Sequence, residues 1–416
     1  MKYVVIVGDG MADYPIDSLG GRTPLMAARK PAMDRIARSG RNGCFLTIPE
    51  NSPTGSAVAN LSVLGYDSYE LFHGGEGRGV LEAASLGVDL QERDLALRVN
   101  LVTLRDGLMI SHSAGQIRSE ESRQLIRDLQ RHFGEEGIRL VPGLSYRHLL
   151  VLPEGEEALD CVPPHDHLEE PWAPLLVKPV REEARPTAEL LNRLVLRSQE
   201  FLASHPINTE RVRQGKLPAN SLWPWAPGRR PRMRTLQERF GITGAAITAV
   251  DLIKGLALYA GMKVIPVEGA TGNWDTNYEG KADAALDALS SCDFAYIHVE
   301  APDEAGHERN LDLKIRCIED LDRRLIQRLL DGLEARHIEA AVALLPDHPT
   351  PIAHGAHTRD RVPVAIWKPG EEPDPVSCYD ESSARSGALG FMQGAEFMEQ
   401  LLAPVSGRPP LAGTPR

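Results

Sequence analysis

Paired thiols, long apolar runs, aromatic side chains and excess positive charge are all scarce in this chain. Its five cysteines, Cys44, Cys161, Cys292, Cys317 and Cys378, are widely spaced and include no C-x-x-C pair. That excludes a disulfide framework and a thiolate zinc site, so any metal must be held by oxygen and imidazole. No run approaches membrane-spanning length, and the apolar stretch in the N-terminal MKYVVIVGDGM is too short for a signal peptide. The expected location is therefore cytoplasmic, without a membrane partner. Lys and Arg number 46 against 58 Asp and Glu, a formal net charge of -12. Such an excess of acid argues against a nucleic-acid surface, although a local cationic pocket remains compatible with it. Internal repeats and low-complexity tracts are also lacking.

What is present is ordinary globular material: 416 residues, 42% hydrophobic and 25% charged. That length exceeds the usual single-core limit, so two domains are expected. YVVIV (3–7) is a β-branched run ending in Gly8-Asp9-Gly10, as in a buried parallel strand that delivers a loop at its C-terminal end. MKVIPV (262–267), DFAYIHV (293–299), AAVALLP (340–346) and VPVAIW (362–367) repeat the pattern and alternate with helical stretches such as KADAALDALSS and LKIRCIEDLDRRLIQRLLDGLE. Strand, helix, strand argues for an α/β domain with a mostly parallel sheet flanked by helices. The middle of the chain differs. A polar helix (SEESRQLIRDLQRHF), a hairpin-like IRLVPGLSYRHLLVL and the Pro- and Trp-rich CVPPHDHLEEPWAPLLVKP and LPANSLWPWAPGRRPRMR suggest a smaller α+β domain inserted over 74–234, between catalytic segments 1–73 and 235–404. Residues 405–416 read as a disordered tail.

Ligands of open α/β sheets sit beyond the carboxyl ends of the strands. Asp9, Asp303 and Asp347 follow such strands, and with His307, His348 and His357 they could supply two adjacent divalent ions with mixed oxygen and nitrogen ligands, suited to manganese or zinc. Asp303 and His307, four apart, share a face if helical; a solvated helix start is the plainer alternative. Paired ions suit displacement at phosphorus. In NSPTGSAVANLSVLGYD (51–67), Pro53 and Gly55 force a turn and Ser56 opens an apolar helix, placing a hydroxyl where phosphate is favoured. Ser56 is either a nucleophile, which needs a base or a metal to activate it, or simply the helix N-cap.

VIVGDGMADYPIDSLGGRTPL, GSAVANLSVLGYD, GITGAAITAVDLIKG, GATGNWDTNYEGKA, VEAPDEAGH, LLPDHPTPIAHGAHT and VPVAIW, in that order from residue 3 to about 368, closely resemble the archaeal type of cofactor-independent phosphoglycerate mutase, a branch of the alkaline phosphatase superfamily. The resemblance implies an alkaline-phosphatase-like two-metal domain with an inserted substrate-binding domain, and no use of 2,3-bisphosphoglycerate. It implies one ion on Asp303, His307 and His357, and another on Asp9, Asp347, His348 and the Ser56 oxygen. Ser56 would take the phosphoryl group of 3-phosphoglycerate and return it to the 2-hydroxyl of the trapped glycerate. Glu304 is then a neighbouring or surface group, His354 at best a donor behind the ligands, and His165 and His167 solvated. Lys254, Arg147, Arg229 and Arg230 are candidate cations for the small phosphorylated substrate, each weighed against an ordinary surface charge.

Two departures stand out. Ala57 replaces the acidic residue usual after the nucleophile, and SHSAGQI (111–117) stands where archaeal mutases carry an arginine-rich turn. Fewer arginines weaken recognition of a doubly charged substrate. The same turn favours a second reading, a homoserine-kinase-like phosphotransferase of this fold. A catalytically silent binding protein is a third, disfavoured by the complete ligand set. Oligomeric state is open.

Overall fold

The computed structural model describes residues 1–72, 78–134 and 137–405. The expected tail beyond 405 and the first expected domain boundary, near 73–74, lie outside the described residues. The chain separates into two compact units, Met1–Glu76 with Met233–Arg416, and Gly77–Arg232.

The first unit is built on an eight-stranded sheet in the order Lys263–Val264, Gly244–Ile247, Phe294–Val299, Lys2–Gly8, Ala340–Leu345, Val362–Trp367, Arg41–Leu46, Gly390–Gln393. The central strands are mostly apolar because both faces are covered. Val4 and Ile6 pack with Ile297, Val299, Val342 and Leu344 under the helices Pro31–Ser39, Tyr278–Ala288 and Leu311–Asp320, while Val5 and Val7 are equally buried on the opposite face. The long helical pattern from Leu311 is continuous but passes through a π-helical segment, Leu321–Ile326, before Gln327–Ala335.

The sheet is parallel except at one strand. Val362–Trp367, expected from its apolar run to continue the parallel alternation, lies antiparallel to both neighbours. No helix intervenes between Leu345 and Val362, and without a crossover element the chain can only return beside the strand it left.

The second unit is a five-stranded antiparallel sheet around the long strand Leu95–Arg105, which pairs with Leu108–Ser111, Arg147–Leu152 and Ser221–Arg229, with Arg139–Val141 beyond Arg147–Leu152. Leu95, Leu97, Val99 and Leu101 alternate onto one face, where they meet Leu125, Leu129 and Phe133 of the helix region Ser119–His132 and Leu191 and Leu194 of helix Arg185–Ala203. The Trp-Pro run expected only as boundary punctuation is the strand Ser221–Arg229. Pro224 and Pro227 are tolerated there because the strand pairs on one side only, with an irregularity beside Ala226, whose φ is 50°. No described helix is long and apolar enough to cross a membrane.

Candidate active site

Strand register brings the site together. Gly8 lies opposite Val299, and Val7 opposite Leu345, so Asp9, Glu300 and Asp347 stand at one level beyond the ends of the three central strands. Asp303 follows in the first turn of helix Ala301–His307, and Asp347 one residue after Pro346. Gly10 permits this convergence: its φ is 60°, and a Cβ there would sit 2.4 Å from Asp303 Oδ1.

Asp347 is fixed by donors. The amides of Gly10 and His348 donate to its Oδ1 at 3.2 and 2.9 Å, and Asn60 Nδ2 donates to its Oδ2 at 2.8 Å. Asn60 also donates to the Ser56 carbonyl at 2.8 Å and accepts from the Tyr296 hydroxyl. Ser56 begins the helix Ser56–Val63, but Gly55 occupies the N-cap position and no side chain caps this end. The capping alternative for Ser56 is therefore removed. Its Oγ instead faces His348 Nε2 at 3.0 Å.

Thr350 links the two halves of the cluster. Its hydroxyl donates to Asp303 Oδ1 and lies 3.3 Å from His348 Nδ1. Since that proton is already given to Asp303, Nδ1 must carry the hydrogen toward Thr350, which leaves the Nε2 lone pair aimed at Ser56. Burial lowers the pKa of His348, in keeping with a neutral ring.

On the other side, His307 Nε2 stands 3.1 Å from Asp303 Oδ2 and 3.0 Å from His357 Nε2, while its Nδ1 faces the Gly355 carbonyl at 2.8 Å. His357 Nε2 is 3.6 Å from Asp303 Oδ1, and its ring centroid is 4.0 Å from that of His348. The hydrogen bond with Asp303 raises His307 to about 9. Burial alone would raise Asp303, but its bonds with His307 and His357 hold it well below the carboxylate range.

Asp9 is the electrostatic problem of the site. It is 1% exposed, yet neither carboxylate oxygen has a hydrogen-bond partner among the described residues. Burial, then Asp347 and Asp303, push its pKa well above the usual value. His298 Nε2 is 3.0 Å from Asp9 Oδ2 and His348 Nε2 3.4 Å from Asp9 Oδ1, and neither ring nitrogen of His298 has a hydrogen-bond partner among the described residues. Two carboxylates about 5 Å apart repel by roughly 3 kcal/mol at an effective dielectric near 20, so this cluster favours a cation. The donor set fits one. Asp303, His348 and His357 form one group able to hold an ion, Asp9, His298 and Asp347 a second, and Asp9, Glu300 and Asp303 a third.

All seven expected residues of the centre, Asp9, Ser56, Asp303, His307, Asp347, His348 and His357, thus lie in one connected cluster, although the geometric groups divide them differently from the two sets expected. His298, Glu300, Asn60 and Thr350 escaped the sequence reading. The one available signal was polarity inside apolar runs, since His298 and Asn60 are wholly buried. Glu300 carries a pKa raised to about 8, first by burial and then by Asp303. Outside the cluster, His354 accepts from the Ala356 amide at 3.3 Å, and His167 pairs with Glu170 at 2.9 Å. Exposed His165 sits by the His112 and Trp225 rings. The expected substrate cations have other partners: Lys254 meets Asp251 at 2.8 Å, Arg230 meets Asp89 at 3.2 Å, Arg229 donates to the Gly155 carbonyl at 2.6 Å, and the Arg147 guanidinium lies 6.0 Å from the Tyr146 ring centroid.

A largely parallel α/β sheet that gathers buried carboxylates and imidazoles at its strand ends, beside a serine hydroxyl at a helix start, defines a phosphoryl-transfer class of enzyme. Comparison with known proteins names the family. A family model described as 2,3-bisphosphoglycerate-independent phosphoglycerate mutase matches residues 37–208. A Methanosarcina acetivorans protein of that name is 46% identical over 405 residues, 97% of this chain and 100% of that protein. A Geobacter sulfurreducens protein named as a probable mutase of the same kind is 47% identical, again over 97% and 100%. Among solved structures, a Pyrococcus horikoshii protein is 32% identical with a TM-score of 0.81, covering 96% of each chain. The cofactor-independent phosphoglycerate mutase of Thermoplasma acidophilum is 29% identical with a TM-score of 0.67, covering 97% of this chain and 99% of that one. The chain belongs to the 2,3-bisphosphoglycerate-independent phosphoglycerate mutase family.

Proposed function

We infer that the protein interconverts 3-phosphoglycerate and 2-phosphoglycerate without 2,3-bisphosphoglycerate, through a phosphoserine at Ser56. The observation that carries the mechanism is the 3.0 Å approach of Ser56 Oγ to His348 Nε2, which sets the hydroxyl beside the buried Asp9–Asp347 cluster. Asn60 holds the first turn of the nucleophile's helix to Asp347. Ser56 Oγ loses its proton and attacks phosphorus, the bond from phosphorus to the 3-oxygen breaks, and the 3-oxygen takes up a proton as glycerate is released in place. The 2-hydroxyl oxygen then attacks, the bond from phosphorus to Oγ breaks, and Ser56 is restored. Exclusion of water in between protects the phosphoserine from hydrolysis.

Two divalent ions, manganese or zinc, would be held by Asp303, His307 and His357 and by Asp9, Asp347, His348 and Ser56, and when bound would neutralise phosphate charge and lower the Ser56 pKa. Lys254, Arg147 and Arg230 are the proposed substrate cations, and the second unit the proposed substrate-binding domain. The homoserine-kinase-like alternative draws no support from the Methanosarcina and Geobacter relatives, which are named as mutases. The test is an enolase-coupled assay with 3-phosphoglycerate and manganese, run beside a phosphohomoserine assay with ATP and homoserine. Turnover is expected in the first alone, and Ser56→Ala should abolish it while metal content persists. Product in the second assay alone would overturn the substrate, and more than a few per cent of activity in Ser56→Ala would remove the nucleophile.

A further inference from the structure

Lys314 is a buried charge outside the ligand set. It lies on helix Leu311–Asp320 and is 0% exposed. Its Nζ donates to Asp13 Oδ2 at 2.8 Å, to the Thr350 carbonyl at 2.8 Å and to the Ala12 carbonyl at 3.1 Å. An ammonium has three donors, and all are engaged. A buried ion pair of this kind is a poor source of stability, since desolvation of both ions offsets much of their attraction and apolar side chains of similar volume often do as well. The pair therefore needs a reason other than stability, and its partners supply one.

Both carbonyls belong to loops that carry the centre. Ala12 and Asp13 continue the loop that begins at Asp9, and Thr350 follows Asp347 and His348. Asp13 closes the link on its own side. Its Oδ1 accepts from the Tyr14 amide at 2.7 Å, its Oδ2 also accepts from the Ile352 amide at 3.1 Å, and its amide donates to Glu381 Oε1 at 3.1 Å. The Thr350 amide in turn donates to the Ala12 carbonyl at 3.3 Å. Lys314 thus joins the two loops at Thr350, whose hydroxyl donates to Asp303 Oδ1 and faces His348 Nδ1. Space is tight on the Asp303 side as well: a Cβ on Gly306, in the helix of Asp303 and His307, would sit 2.6 Å from the Thr350 carbonyl oxygen. A shift of Thr350 therefore reaches the Asp303 carboxylate and the His348 ring, which the Lys314 ammonium does not itself bond.

We propose that Lys314, paired with Asp13, is a positioning residue for phosphoryl transfer: it anchors Thr350 so that the Thr350 hydroxyl holds Asp303 and the His348 ring in place to receive metal and to face Ser56. The inference rests on the mutase reading and its two-ion ligand set, to which Lys314 itself contributes no ligand atom.

The test uses the full-length protein and Lys314→Met, which keeps an unbranched side chain and loses the ammonium. Groups behind metal ligands commonly govern affinity or activity by roughly 10- to 100-fold. Calorimetric titration of the metal-free variant with Mn²⁺ is therefore expected to show binding weaker by about tenfold or more, and kcat at saturating Mn²⁺ should fall by about tenfold or more with KM within about threefold. A role as scaffold alone would act without regard to the Thr350 hydroxyl, so Thr350→Val is measured alone and combined with Lys314→Met. The combined variant is expected to bind Mn²⁺ within about threefold of Thr350→Val alone. In Lys314→Met, an Mn²⁺ affinity or a kcat within about threefold of the parent would overturn the proposal, as would affinity losses that simply multiply in the combined variant. Melting without metal checks that Lys314→Met folds. Should it not, Lys314→Gln, which retains two N–H donors but no charge, is measured in its place against the same outcomes. Absence of mutase turnover in the parent would remove the mutase reading alone, since the Mn²⁺ titrations still decide the role of Lys314.

Discussion

Replacing Asn60 by alanine tests whether the nucleophile is positioned through Asp347. The amide is fully buried and serves three groups: it donates to Asp347 Oδ2 and to the Ser56 carbonyl, both at 2.8 Å, and accepts from the Tyr296 hydroxyl. Its loss orphans a buried phenol, worth about 1–2 kcal/mol, and strips one of three donors from a buried carboxylate, worth about 1.5–3 kcal/mol. The sum, about 3–5 kcal/mol, corresponds to a fall in Tm of roughly 6 °C or more. Activity should fall further, because a shift of the Ser56 turn by about 1 Å costs on the order of 100-fold. Tyr296→Phe is the control. It leaves only Asn60 Oδ1 unpaired, at about 1–2 kcal/mol, without touching the bonds to Ser56 and Asp347. Differential scanning fluorimetry and the enolase-coupled assay read the two effects. An Asn60→Ala protein with Tm within about 2 °C and kcat within about threefold of the parent would refute the reasoning, as would equal kcat losses in both variants.

The bond with Asp303 raises His307 to about 9 in the folded, metal-free protein, against an ordinary value near 6.5. That stabilisation is fully present below pH 6.5 and is lost as pH rises through 9, so the metal-free denaturation midpoint should decline over this range more steeply in the parent than in His307→Gln; parallel slopes would contradict it. Since an ion on His307 must displace this proton, metal binding at pH 7.5 should release it, detectable as a buffer-dependent heat, and a heat that does not vary with buffer would deny the ligand role. Gly10→Ala combines a φ of 60° with a Cβ 2.4 Å from Asp303 Oδ1, and is expected to cost about 2 kcal/mol or more and to weaken metal binding at least tenfold. Unchanged melting and metal titration would show that the loop relaxes freely.

Much of the fold was legible because its central strands are buried on both faces, which leaves a continuous apolar run such as YVVIV with few other fates. Asp9 and Asp347 were legible for the same reason: each is an acid set directly beyond such a run, where backbone leaves the sheet and a ligand enters. Strand direction was not legible in Val362–Trp367, because direction is decided by the connection rather than by the strand's own residues. Nor was the strand Ser221–Arg229, whose prolines look like punctuation until its one-sided pairing is known.

The residues missed at the centre share a physical reason. His298 and Asn60 sit inside apolar elements, where period and composition speak for burial, and their role depends on partners 289 and 287 positions away: Asp9 for His298, Asp347 for Asn60. Glu300 was hidden by adjacency, since in VEAPDEAGH the eye goes to the Asp303–His307 spacing, whereas it is register, Gly8 opposite Val299, that sets Glu300 level with Asp9. A spacing rule sees only groups carried by one helix or strand. The charge of this site is the sum over three chain-distant strand ends, and that sum decides whether an acid such as Glu300 is a bystander, a proton carrier or a ligand.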